Sequence, residues 1–388
     1  MHNNNAYKYV NGPLNAVRIE GEIYGIKKVL YIFMDVHVSV QYQTHCKDFD
    51  SIELVYYIIK MLKSSDKKKV FDLFTETTET NISVPEIPFR GRYIDEINKY
   101  LKHEYKNKKS SLNNIRAHYI DVRDHIKNTV NELFGNSYYI IKRSPYASYM
   151  NRSEYDDVKH NIENLIAMLK IIKDLMLGKT PNEKTQFNID ELSKIIHKIL
   201  TKYNHPDTLM SFVELKNKIN DQFETLLKML NDMIIVMNEY ETHIFKNPHT
   251  LFLNERQYYK VYRYGIDNEK YNEFIYKLNS LFDDFDVVCT HTFASIVDIY
   301  FLRRFIDKDY ITNGIVYTGA SHSVYYIYHL IKFYDFKITH ISDSSKKSLD
   351  EIHKIIKNNN YSPELERLFF PSTLIQCVNV NDFPIGFE

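Results

Sequence analysis

Val29-Leu30-Tyr31-Ile32-Phe33-Met34-Asp35-Val36-His37 decides how the chain is read: an unbroken apolar run, then a carboxylate and an imidazole two positions apart. Such a run, bounded by polar residues, fits a buried strand of a helix-covered sheet. The frame recurs near the other end of the chain, where Gly314-Ile315-Val316-Tyr317-Thr318-Gly319-Ala320-Ser321-His322 closes on a second histidine. Two more runs, one ending at Glu76 and one at Asp121, also close on ionisable residues. In an open α/β sheet the carboxyl ends of parallel strands share one edge, so side chains placed there converge however far apart they lie in sequence. Asp35, His37, Glu76 and His322 are therefore expected in one crevice.

Outward from these runs, strands are predicted near residues 16–23, 28–34, 69–75 and 114–121, with 16–34 reading as two strands joined around Gly25. Residues 51–65 have apolar side chains at helical spacing, with Asp50 or Ser51 placed to cap them. From about 151 to 282 the apolar residues recur at three- and four-residue intervals, Gly178, Pro181, Pro206, Pro248 and Gly265 punctuate them, and no strand pattern appears. After Pro206 a single long helix is predicted, with one stripe running from Leu209 and Phe212 to Leu230 and Ile234. The α/β pattern returns with a helix at 288–306, a strand at 314–319, a helix at 321–334, a strand at 336–341 and a helix from Lys346 to Lys357. The remaining tail reads as an edge strand or extended segment. The expected fold is α/β, or α+β: a mixed, largely parallel sheet flanked by helices, built from residues 1–150 and 283–388 around an all-helical insertion at 151–282.

The 50 basic and 50 acidic residues among 388 cancel, which leaves pI ≈ 7.3 and no global field to draw nucleic acid or an anionic membrane, so neither partner is expected. No apolar run approaches the ~20 residues of a spanning helix, and the polar start lacks the apolar centre of a secretory signal, which predicts a soluble, intracellular protein. Cys46, Cys289 and Cys377 are scattered without a CxxC pair, so reduced thiols are expected rather than a disulfide framework or thiolate zinc site. Tyrosine (32) is abundant and tryptophan absent, a bias of AT-rich coding more than of chemistry.

Asp35 beside His37 can bind a divalent metal or form a base with its orienting partner; a hydrogen-bonded histidine in a capped loop is the competing account. Gly319 permits a close backbone approach, Ser321 or Ser323 can cap the helix that follows, and His322 then lies near the positive end of a helix dipole. Glu76 closes the run that starts at Val70, on the same face as Asp72 and Phe74. Arg116, His118, Asp121 and Arg123 are unusually polar for a central strand. They predict either an edge strand or an Asp121–Arg123 pair that braces the site or holds an anionic group. Asp298 with Arg303 or Arg304 reads as an exposed helix face. No phosphate loop, GxGxxG, HExxH or GxSxG occurs.

The two histidine frames resemble the erythromycin-esterase, TraB and TIKI-like superfamily, which carries a GExH-type motif after an early strand and a GxxH motif near the C-terminus. Gly319-Ala320-Ser321-His322 matches the second in full, whereas Met34-Asp35-Val36-His37 keeps the histidine but has Met for Gly and Asp for Glu. The layout of early GPLNAVRIEG, DVH, HYIDVR and late YTGASH is also similar to uncharacterised proteins of giant DNA viruses. The resemblance implies a crevice used for hydrolysis, with Asp35, His37, Glu76 and His322 as a ligand set for a divalent metal such as Mn, Co or Zn, or as bases and their orienting partners. Asp121 and Arg123 would assist, Arg123 by stabilising developing negative charge. It also implies residence in the host cytoplasm or virion. The alternative is a non-catalytic viral structural or interaction protein that keeps the fold, as a homo-oligomer or with a virion partner.

Overall fold

Strands β1 (Tyr9–Asn11), β2 (Asn15–Ile23) and β3 (Ile26–Asp35) open the chain, and β2 and β3 form an antiparallel hairpin. Its two-residue turn holds Tyr24 at φ 53° and Gly25 at φ 79°, as a primed turn requires, so the expected join at Gly25 is where the chain reverses. The computed structural model describes residues 8–40, 46, 49–77, 91–106, 114–147, 150–179, 190–246, 269–344, 347–371, 374–384 and 387. Pro181, Pro248, Gly265 and Lys346 lie outside them.

The chain folds as two units, one of Met1–Asp121, Tyr203–Ser211 and Tyr300–Glu388, the other of Val122–Lys202 and Phe212–Ile299. In the first, β3 continues through β4 (Ser51–Glu53), α1 (Leu54–Ser64), β5 (Phe71–Thr75), α2 (Tyr93–Lys106) and β6 (Ile115–Tyr119). The C-terminal part adds β7 (Asn313–Gly319), α9 (Ala320–Tyr334), β8 (Lys337–Ile341), α10 (Leu349–Asn358), α11 (Pro363–Glu366) and β9 (Cys377–Asn379). Among the described residues six strands make one sheet in the order β6-β5-β7-β3-β2-β8. All run parallel except β2, which is antiparallel to both its neighbours. This is the mixed α/β architecture the patterning predicts, and β6, with its arginine and histidine, is indeed an edge strand.

The central strands are buried on both faces, and alternate residues share one of them. Tyr31, Phe33, Ile315, Tyr317, Phe71 and Leu73 pack with Leu54, Ile58 and Met61 of α1 and Ile94 and Ile97 of α2. Helix α1 starts after Glu53 with no side-chain cap; the expected capping residues, Asp50 and Ser51, precede it as the approach to β4 and its first residue. A buried lysine anchors the other side: Lys28 Nζ donates to the carbonyls of Phe305, Lys308 and Ile311 at 2.9, 2.8 and 2.8 Å. It satisfies the open end of the helix that closes at Asp307, and burial pulls its pKa down to about 8.

A second sheet, β4-β1-β9, corrects the cysteine expectation. Cys377 pairs in register with Asn11, whose Oδ1 accepts the Cys46 amide at 2.6 Å, and the two sulfurs form a disulfide across 331 residues. Sequence spacing carries no trace of this, because the cysteines meet only once β1 has drawn both chain segments to itself. Cys289 is free and buried.

The second unit is helical throughout its described residues: α3 (Asp124–Ala147), α4 (Arg152–Met176), α5 (Asp190–Thr201), α7 (Val213–Tyr240) with a further turn at Glu241–Lys246, and the start of α8 (Glu269–Asp307). A capping box of Asn151 and Glu154 starts α4. The predicted helix after Pro206 is two: α6 (Pro206–Ser211) stops at Phe212, and α7 then carries the buried stripe Leu215, Ile219, Phe223, Leu226 and Leu230. Within α8, Asn272–Asp307 is long and apolar enough to cross a membrane by length and composition, contrary to the run-length expectation; 61 % of its most apolar window is buried in the protein, as in a core helix. Asp298 and Arg303, expected on an exposed face, are buried, and Arg303 lies over the Tyr203 ring.

Candidate functional site

Three adjacent strands, β5-β7-β3, deliver the site. Thr75 is level with Tyr317, and Asp35 is level with Gly319, so Glu76, Gly319 and Asp35 emerge together at the carboxyl edge. From β3 the chain crosses to β5 on one side of β7, and from β7 it crosses to β8 in the opposite direction. Neighbouring strands whose connections diverge in this way form a topological switch point, where an open α/β sheet leaves a crevice.

Asp35 is buried at the end of β3, and its Oδ2 lies 2.8 Å from His37 Nδ1. The two do not meet along a continuing strand, as extended spacing suggests. The chain leaves β3, and His37 adopts φ 55° in the left-handed region, which costs a non-glycine residue roughly 1 kcal/mol. Its other nitrogen, Nε2, lies 3.2 Å from Glu76 Oε2. Carboxylates only accept, so a ring set between two of them is held as the doubly protonated imidazolium. Burial opposes that charge, but the hydrogen bonds to Asp35 and Glu76 and their negative charges outweigh it and raise the pKa of His37 to about 9.

Glu76 is the hub. Its Oε2 accepts the Gly319 amide at 2.7 Å, at the N-terminus of α9, where a negative charge is favoured; its Oε1 lies 3.3 Å from His322 Nε2 in the first turn of that helix. Space at Gly319 is tight: a Cβ there would lie 3.0 Å from His37 Nε2 and 3.3 Å from Glu76 Oε2, so a side chain would make one of them give by a few tenths of an ångström. It is the helix N-cap without a side-chain cap; Ser323, expected to cap, instead bonds Thr318 Oγ1 at 2.9 Å. Asp35 Oδ1 is buried with no hydrogen-bond partner among the described residues.

Sequence reasoning missed two supports. Asn98 of α2 accepts from Thr75 Oγ1 at 3.1 Å and donates to Thr77 Oγ1 at 2.7 Å, bracketing Glu76, and the Val40 amide donates to the Gly91 carbonyl at 3.0 Å. These bonds set the start of α2 beside the cluster and bring in Arg92. Its Nε and Nη2 donate to Asp95 at 3.1 and 3.2 Å, and the Asp95 bond, then the charges of Asp95, Asp35 and Glu76, raise its pKa against burial. Only distance in the fold, not spacing in the chain, marks Arg92. Of the other expected residues, Asp121 donates its amide to the Thr77 carbonyl at 3.4 Å, next to the Glu76 strand end, and Arg123 lies in the helical unit just before α3. Arg116 and His118 turn instead to Asp72.

Among the described residues no three His, Cys, Asp or Glu side chains are disposed to hold a metal ion between them. Asp35, His37, Glu76 and His322 face one another at contact distance, with both His37 nitrogens turned to carboxylates. The donor set as arranged does not fit an ion.

The chain belongs to the family described as "Family of unknown function (DUF5847)", which it matches over residues 8–388. It is similar along nearly its whole length to proteins of Acanthamoeba polyphaga mimivirus. "Uncharacterized protein R706" is 33 % identical over 410 residues, covering 98 % of this chain and 97 % of that one. "Uncharacterized protein R160" is 30 % identical and "Uncharacterized protein R161" 28 %, each across 98 % of this chain and 97 % and 98 % of their own lengths. The giant-virus likeness of the sequence layout thus extends over the full chain. No solved structure matches it significantly.

Proposed function

We propose that this member of the family is a hydrolase in which the Asp35–His37–Glu76–His322 cluster activates water against a carbonyl or similar electrophile. The observation that carries the reading is Glu76, placed between two histidines and a helix-terminal amide at the switch point. The likeness of MDVH and GASH to the esterase-containing superfamily supports it independently.

Each side chain then has a role its geometry allows. His322, oriented through Nε2 by Glu76, takes a proton from water as the water oxygen bonds to the electrophilic carbon. The π bond breaks and its electron pair goes to the carbonyl oxygen beside the His37 imidazolium, whose ring is 34 % exposed; with both N–H groups given to Asp35 and Glu76, the ring stabilises that charge through space rather than by a hydrogen bond. Asp35 and Glu76 keep that ring charged at neutral pH. On collapse, the bond to the leaving group breaks and His322 returns its proton to the departing oxygen or nitrogen. Arg92 adds positive potential beside the same carboxylates.

The test is hydrolysis of a chromogenic ester and amide panel by the wild type, by His322→Ala and by Glu76→Gln, with circular dichroism to confirm folding. General-base loss predicts a fall of roughly 10²–10⁴-fold in either variant. A wild type inert to the whole panel, or two variants as active as wild type, would remove the reading. A second reading has one observation in its favour: an imidazolium held by two carboxylates is also an ion-pair lock, suited to a non-catalytic interaction or virion protein. Under it, the same variants lose stability and the wild type hydrolyses nothing.

A further inference from the structure

We propose that a cavity at the end of β8 is a binding site for a neutral, hydroxyl-rich ligand the size of a single sugar ring. The inference stands apart from the hydrolase reading. The cavity, of about 350 Å³, lies at the end of β8 and the start of α10, bordered by the segment after β9. Because β8 is antiparallel to β2 and β2 to β3, this is the same carboxyl edge, two strands from His37 and so about 10 Å across the sheet. The volume is at the small end for ligand pockets, room for one ring rather than a chain.

The lining sets the chemistry. One ammonium, Lys347, and one carboxylate, Asp382, both line it, so neither an anion nor a cation is selected by net charge. Burial, then the charge of Arg18, lowers the pKa of His340, which leaves that ring neutral as well. Around them stand the Ser344 hydroxyl and the Asn379 side chain, whose Oδ1 already accepts the Asn381 amide at 3.0 Å, with Phe383, whose ring lies 5.7 Å from that of His340, as an apolar wall. Some of the lining is already committed: Ser348 is tied into the capping box of α10 with Glu351, and Ser342 Oγ donates to the Asn379 carbonyl at 2.5 Å. Lys347 and Asp382 are exposed and have no hydrogen-bond or ion-pair partner among the described residues. A strong donor and a strong acceptor lining one small space are satisfied together by groups that both accept and donate. Hydroxyls on adjacent ring carbons do this, and the C–H face of a ring suits Phe383.

Saturation-transfer NMR tests this on the full-length protein with methyl glycosides of glucose, galactose and mannose, N-acetylglucosamine and inositol, against inorganic phosphate. At least one neutral polyol should receive transfer at millimolar concentration. Affinity should fall at least tenfold in Asp382→Ala and in Lys347→Ala, both surface positions. Glu76→Gln should leave it unchanged, so loss of the hydrolase and loss of this site are separate results. No transfer to any polyol, equal binding by both cavity variants, or phosphate binding tighter than every polyol would each overturn the proposal.

Discussion

The sheet holds two histidine–carboxylate clusters, and their contrast shows why residue type alone does not mark a site. At the strand ends His37 meets Asp35 and Glu76, its ring stays a third exposed, and its pKa rises to about 9. On the β5–β6 pair, Asp72 takes Arg116 through two bonds of 2.8 and 2.6 Å and His118 Nε2 at 2.6 Å, while His118 stacks on Phe74 at 4.7 Å. There burial dominates, and the charges of Arg304 and Arg116 add to it, so the pKa of His118 falls. Both carboxylates pair in register with a glycine of β7, Asp35 with Gly319 and Asp72 with Gly314. The first cluster is open and spans three strand ends; the second is closed by an arginine within the sheet. Under the hydrolase proposal the first serves chemistry, while the second holds an edge strand.

Stability should separate them most. Asp72→Ala strands His118 and part of Arg116 without their acceptor and is expected to cost about 3 kcal/mol, the lower end for a broken buried pair because Arg116 is partly solvated. Asp35→Ala leaves His37 with Glu76 and should cost about 2 kcal/mol, near the value of one charged hydrogen bond. Urea unfolding that reverses this order would collapse the distinction. The glycines sharpen it next. Gly314→Ala puts a methyl 2.6 Å from the end of the Leu30 side chain and should lower stability by roughly 1–3 kcal/mol while sparing hydrolysis. Gly319→Ala presses on His37 and Glu76 instead, so hydrolysis should fall further than stability does.

Proton titration gives a smaller effect with opposite signs. A folded pKa above the ordinary 6.5 means His37 contributes stability fully below about pH 6.5 and loses it as pH climbs through about 9. With the ring a third exposed, solvent screening leaves roughly 1 kcal/mol of this. His118, shifted down, costs stability as pH falls below 6.5. Imidazole NMR should place the two midpoints on either side of 6.5, and the pH–rate profile should fall on its alkaline limb near 9. Two midpoints on the same side would erase the contrast.

How much of this the sequence disclosed follows from what is local. The hairpin at Gly25 and the strand ends at Asp35, Glu76 and Gly319 were legible because strand patterning and turn chemistry act over a few residues. Asp35, His37, Glu76 and His322 converge because parallel topology forces them to. The Cys46–Cys377 bond, the Asp72 cluster and the break at Phe212 were not legible, since each is decided by segments that meet only in the folded chain. Arg92 belongs with these. The charged run after β6 pointed to Arg123, whereas Asn98 and the Val40–Gly91 bond bring a different arginine to the cluster.

That replacement yields the finest test of the comparison. Arg92 is 46 % exposed and half committed to Asp95, so its effect on Asp35 and Glu76 is screened, and Arg92→Ala should raise the His37 midpoint by only a few tenths of a unit. The direction is fixed: removing a cation lets the two carboxylates hold the imidazolium proton more firmly. The shift should shrink in 0.5 M salt, where the Debye length falls to about 4 Å, because it acts through space rather than through a bond. The His118 midpoint should not move with Arg92, since its own cations are Arg304 and Arg116. If Arg92→Ala left His37 unchanged or lowered its midpoint, the guanidinium would be no part of the site. The positive potential there would then rest on His37 alone.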